Sequence, residues 1–114
     1  MPSSHTWKRN DTTPISGTLK APDTSAVDIA NATLRFHMFK TDQTTQIVDA
    51  AANNDQTGDG SDGTKGDWSY NPSAVDTDES GRFLAEVEVT FADGVITTYP
   101  NRGFIKVSIG DDLA

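Results

Sequence analysis

The sequence predicts an all-β sandwich of about six to eight strands, joined by turns and without helical layers. Three observations predict it. Leu34, Phe36 and Met38 alternate with Arg35, His37 and Phe39, the two-residue period of a strand with one buried face. Phe83, Ala85, Val87, Val89 and Phe91 repeat that pattern against Arg82, Leu84, Glu86, Glu88 and Thr90. Asp93-Gly94 then stands between this run and Val95–Tyr99, and that residue pair favours the positive backbone angles of tight hairpin turns.

The remaining elements follow in order. Residues 1–10 read as a polar N-terminal arm ahead of the domain, which spans residues 11–110, and 111–114 form a C-terminal tail. Pro14–Lys20 reads as a first strand, and Ala21–Ser25 as a turn, because proline and aspartate preset bent backbone. Val27–Ile29 is a short apolar segment before the long strand Ala32–Lys40, and Gln46–Ala50 is its short partner. Residues 53–65 form a loop of glycine, aspartate, asparagine and threonine, expected to bury little and to be flexible. Gly66–Tyr70 resumes as a strand with Trp68 and Tyr70 on one face. Asn71–Ser80 connects to the hairpin, with room for one helical turn, and Phe104–Ile109 closes the domain after the break at Pro100–Gly103.

The 114 residues suit one domain, large enough for one modest core and too small for a deep enclosed active site. There are no cysteines, which excludes disulfides, thiolate chemistry and cysteine-ligated zinc. Seventeen acidic residues against nine basic ones give a net charge of −8. Such a surface repels phosphate backbones and anionic membranes, so neither nucleic acid nor membrane is an expected partner. The same surplus, mostly aspartate, suits a halophilic setting in which salt screens charge. No run is long and apolar enough to span a membrane, and residues 1–10 lack the apolar core of a signal peptide. Synthesis in the host cytoplasm is the expectation that follows.

The ordered set Asp11-x-x-Pro14-Ile15-x-Gly17-x-Leu19, Val27-Asp28-Ile29-x-x-Ala32-Thr33-Leu34-Arg35-Phe36-His37-Met38 and Ile47-Val48-Asp49-Ala50-Ala51 resembles the N-terminal domain of phage baseplate upper proteins. Gly66-Asp67-x-x-Tyr70, Asp76-Thr77-Asp78-x-x-Gly81-x-Phe83 through Gly94, and Tyr99-Pro100-Asn101-x-Gly103 extend the resemblance to the second half. The family usually carries tyrosine where this chain has Phe83. The resemblance implies an immunoglobulin-like antiparallel fold and a non-enzymatic virion protein of a tailed virus. Its partners would be other tail or baseplate proteins, met in multiple copies set by particle symmetry. Capsid decoration, turret and neck are the alternative positions in such a virion.

Three groups of residues bear on chemistry. Trp7, Lys8 and Arg9 in the N-terminal arm are candidate partner-binding residues, since exposed tryptophan is enriched at interfaces and the cations can meet acidic neighbours, the alternative for Trp7 being that it folds back onto the sandwich edge; the tail from Gly110 is a second contact region. Asp55-x-Thr57-x-Asp59-Gly60 starts like an EF-hand calcium loop, but its twelfth position is Gly66 where a bidentate glutamate belongs. Asp76-x-Asp78-x-Ser80-Gly81 starts as well and ends at Val87. Asp55, Asp59 and Asp62 are therefore the candidate Ca2+ ligands, and a calcium- or carbohydrate-dependent binding module is the rival to the virion reading. No cofactor is otherwise expected. His37 has no carboxylate or nucleophile near it in sequence, and Glu86 and Glu88 read as a solvated strand face. The chain is accordingly expected not to be an enzyme.

Overall fold

The computed structural model describes residues 4–111, which form eight β-strands. These are β1 (Ser4–Lys8), β2 (Ile15–Thr18), β3 (Thr33–Lys40), β4 (Gln46–Asn54), β5 (Asp67–Tyr70), β6 (Gly81–Thr90), β7 (Ile96–Tyr99) and β8 (Ile105–Gly110). They hydrogen-bond in the order β1-β8-β6-β3-β4-β5-β2, with β7 also on β6. The fold is an all-β, immunoglobulin-like sandwich. One sheet is built on β6, β3, β8 and the start of β4; the end of β4 crosses over to pair with β5, and β5 with β2. No described helix is long and apolar enough to cross a membrane.

The two strands with the clearest alternation form the centre. In the β3–β6 register Leu34 faces Val89, Phe36 faces Val87 and Met38 faces Ala85, all buried. The small Ala85 leaves room for the long thioether of Met38, as close packing requires. Arg35 and Glu88, His37 and Glu86 pair on the other face. Across the sandwich the Phe36 ring stacks on Tyr70, with centroids 4.7 Å apart, and on Trp68 at 6.0 Å. These contacts join the two sheets through one aromatic column. The β3–β4 turn is fastened by Asp42, whose carboxylate accepts from Thr45 Oγ1 and from the Thr44 and Thr45 N–H groups. Those donors hold its pKa down to about 2.

Two expectations are corrected by the structure. Residues 4–8 are not part of a free arm: they form β1, which runs parallel to β8 with Trp7 opposite Ile109. Among the named strand pairs this is the parallel one in an otherwise antiparallel fold. Its rungs are gained because Trp7 plugs the end of the core, 2% exposed, with its indole N–H donating to Thr13 O at 2.9 Å. The Val27–Ile29 segment lies between the strands, as read, after an isolated bridge of Ala26 with Lys20, and Ile29 is fully buried. Residues 71–80 contain turns and no helix.

The loop read as flexible is also built differently. Its first two residues, Asn53 and Asn54, belong to β4. Asn54 Nδ2 donates to Ile29 O and Ala32 O, while Gln56 Oε1 accepts from Ile29 N–H and Gly66 N–H and Gln56 Nε2 donates to Asp28. Two amide side chains thus supply the hydrogen bonds that a neighbouring strand would otherwise give, and pin the loop to residues 28–32. On the opposite side Thr77, a fully buried polar residue, donates through Oγ1 to Asp11 O at 2.8 Å. Asn10 returns bonds to Thr77 O and Ala74 O, so the β1–β2 turn and the β5–β6 connection lock together.

Candidate functional site

The sequence-predicted docking residues are mostly used inside the fold. Trp7 is core, so it is not available as an exposed anchor. Arg9 Nε donates to Asp78 O at 2.9 Å, and its guanidinium lies 3.8 Å from Asp111. Lys8 is exposed on β1. Of the tail, Gly110 ends β8 and Asp111 is exposed; residues 112–114 lie outside the described residues.

Asp55, Asp59 and Asp62 are not brought together. Asp59 Oδ1 accepts from Ser61 N–H, and Asp62 Oδ1 accepts from Thr64 N–H and Oγ1. The Asp55 N–H donates to Asp67 O. Each aspartate closes or flanks its own turn, the ordinary work of that residue in loops. Among the described residues no group of three or more His, Asp or Glu is placed to hold a metal ion.

One pairing was invisible in the sequence. The β3–β4 register sets Asp49 beside His37, with His37 Nε2 3.2 Å from Asp49 Oδ1, and Arg35 Nε bonds the same oxygen at 2.8 Å. The Arg35 bond, with lesser help from Arg35 and His37 charge, holds the Asp49 carboxyl below the usual carboxylate range. The arrangement is a cross-strand charge cluster on the outer sheet face. It orients an imidazole, but the described residues place no serine or threonine hydroxyl in hydrogen-bond contact with it.

The most distinctive surface feature lies where the strand order runs out. β1 and β2 are its two ends, and a cleft of about 640 Å³ lies between them, within the range of binding pockets. His5 lines it from β1, Ile15 and Gly17 from β2, Trp68 from β5, and Tyr99 and Ile105 from either side of the β7–β8 break. A Cβ at Gly17 would come 3.1 Å from Trp68 Nε1, a tight contact that glycine avoids. β2 pairs with β5 on one side, and no described strand covers its other edge. His5 Nε2 is buried with no hydrogen-bond partner among the described residues.

Burial holds the His5 imidazole below its ordinary 6.5. The unfolded chain therefore takes up the proton first, so stability is full above pH 6.5 and falls as pH drops through 6.5 towards the lower folded value. A His5→Phe variant is expected to lose less melting temperature than the parent between about pH 7.5 and 5.5. Parallel melting curves check this, and identical slopes would mean that folding leaves the His5 pKa unshifted.

No known protein family matches the chain, and no curated protein matches it. Among solved structures it is similar to the crystal structure of CopC from Methylosinus trichosporium OB3b, at 10% identity and a TM-score of 0.47, over 99% of this chain and 87% of that one. The fold class stands on the chain's own strands.

Proposed function

We propose that the protein is a non-enzymatic structural module of a tailed-virus particle, held among its neighbours by accepting an extended segment of another virion protein in the cleft between β1 and β2. The observation that carries the docking reading is the unpaired edge of β2 above an apolar floor of Ile15, Trp68 and Ile105. An exposed edge presents backbone N–H and C=O groups as a template for a further strand. The segment that fits is apolar on the side facing that floor. The virion context is supported by the sequence resemblance, which runs from about Asp11 to Ile109. Tail or baseplate is the position it favours.

Quantitative mass spectrometry of purified particles, separated into heads and tails, tests this reading. Enrichment in tails at few copies supports it. Enrichment in heads at many copies moves the module to capsid decoration or turret, and absence from both fractions removes the virion context.

The halophilic reading belongs to the same proposal. With a net charge of −8, self-repulsion opposes the folded state, and screening relieves it. The melting temperature is expected to rise by several degrees between about 0.05 and 2 M KCl, on the order of 1 kcal/mol of relief. A melting temperature that stays flat or falls over that range would remove the halophilic argument and leave the docking reading untouched.

A further inference from the structure

We propose that two copies of this chain pair edge to edge through β7. The inference concerns the isolated protein and is independent of what fills the cleft. β7 hydrogen-bonds to β6 on one side, and no described strand lies on the other, whereas β8, the next strand along the same border of β6, is covered by β1. Among the described residues the border is therefore stepped, with β7 recessed and bare.

The backbone sets which groups are free. Phe91 N–H donates to Val95 O at 2.8 Å, which marks 91 and 95 as a hydrogen-bonded pair. Antiparallel pairing alternates, so Thr97 and Tyr99 turn their backbone groups towards Val89 and Val87. Ile96 and Thr98 turn theirs outward. Among the described residues, what reaches them is a 3.4 Å bond from Asn101 Nδ2 to Thr98 O.

This edge lacks the usual protection against pairing. Val95 is 53% exposed and Ile96 61%, and the run Val95-Ile96-Thr97-Thr98 contains β-branched residues with no charge and no proline. The edge is also self-complementary. A two-fold axis at Thr97 sets Ile96 opposite Thr98 of the second copy, and each such pair exchanges two backbone bonds, four in all. The same two-fold places the β6–β7 turn of one copy, which carries Asp93, by the far end of β7 in the other, beyond which Arg102 follows, so unlike charges meet at both ends. A four-residue strand buries less than the roughly 1,200 Å² of an ordinary stable complex. The dimer is therefore weak in solution and gains strength when copies are held close together in an array.

Sedimentation equilibrium of the full chain at physiological salt, from micromolar to millimolar, tests the pairing. The expected result is a weight-average mass climbing towards twice the monomer, with Thr98→Pro and Ile96→Lys each weakening association by at least about tenfold at unchanged melting temperature. A monomer throughout, or association that both variants leave intact, overturns the proposal. If the proline variant fails to fold, a charge exchange decides. Arg102→Glu and Asp93→Lys alone associate less than the parent, and a mixture of the two recovers the parent's association, because each copy then offers what the other lacks. Failure of the mixture to recover overturns the register.

Discussion

Replacing Trp7 with alanine is expected to destabilise the protein by about 3–5 kcal/mol, the cost of removing a large buried aromatic and leaving a cavity. For a domain near this size that corresponds to a fall in melting temperature of more than about 12 °C. The reason lies in the position of β1. Of its five residues only Trp7 is fully inside, and the indole also donates to Thr13 O. Without the ring the parallel rungs to β8 have nothing to hold them against the core, and β1 should detach before the rest unfolds. Thermal melting with amide exchange at Ser108 and Gly110, whose backbone groups face β1 as the bond from Arg9 N–H to Gly110 O shows, reads both effects. A variant melting within about 2 °C of the parent would return residues 4–8 to the status of a dispensable arm.

Gly66→Ala is expected to be nearly as damaging, at about 2–4 kcal/mol. Gly66 has a φ of +80°, where an L-residue costs about 1–2 kcal/mol by itself. Its Cβ would also sit 2.8 Å from Leu19 O and 3.1 Å from Val27 O, backbone atoms that cannot swing aside. Gly66 O accepts from Leu19 N–H and its N–H donates to Gln56 Oε1, so the strain spreads into the bonds that close the 55–66 loop. Gly63, with a φ of +96° and nothing within 4 Å, provides the control: Gly63→Ala carries the backbone penalty without the collision. Equal melting temperatures for the two variants would contradict the close approach at Gly66.

The parts of the fold that were legible are those in which the pattern repeats often enough to count. β3 and β6 each alternate over eight or more residues, and Asp93-Gly94 announces the turn into β7. β1 was illegible because a single buried residue in five shows no period, and its partner β8 lies some hundred positions away in the chain. Asn54 and Gln56 looked like loop polarity. Their role depends on the carbonyls and amides of residues 28–32, which local sequence cannot place beside them. The Asp49–His37 contact likewise exists only through the β3–β4 register. The candidate site was the least legible part. It is a gap between the first and last strands of the hydrogen-bonding order, and its lining comes from five strands and a chain break.

The measurement that tests the docking account most directly is site-specific photo-crosslinking within intact particles. A benzophenone side chain at Ser16, on the open strand β2, is compared with one at Thr33, the exposed start of β3, a strand that lies between β4 and β6 in the sheet. The account predicts one discrete crosslinked species from Ser16, mapping to a short extended segment of a single virion protein, and none from Thr33. Crosslinks from Thr33 alone, or none from Ser16 in particles shown to contain the protein, would contradict it.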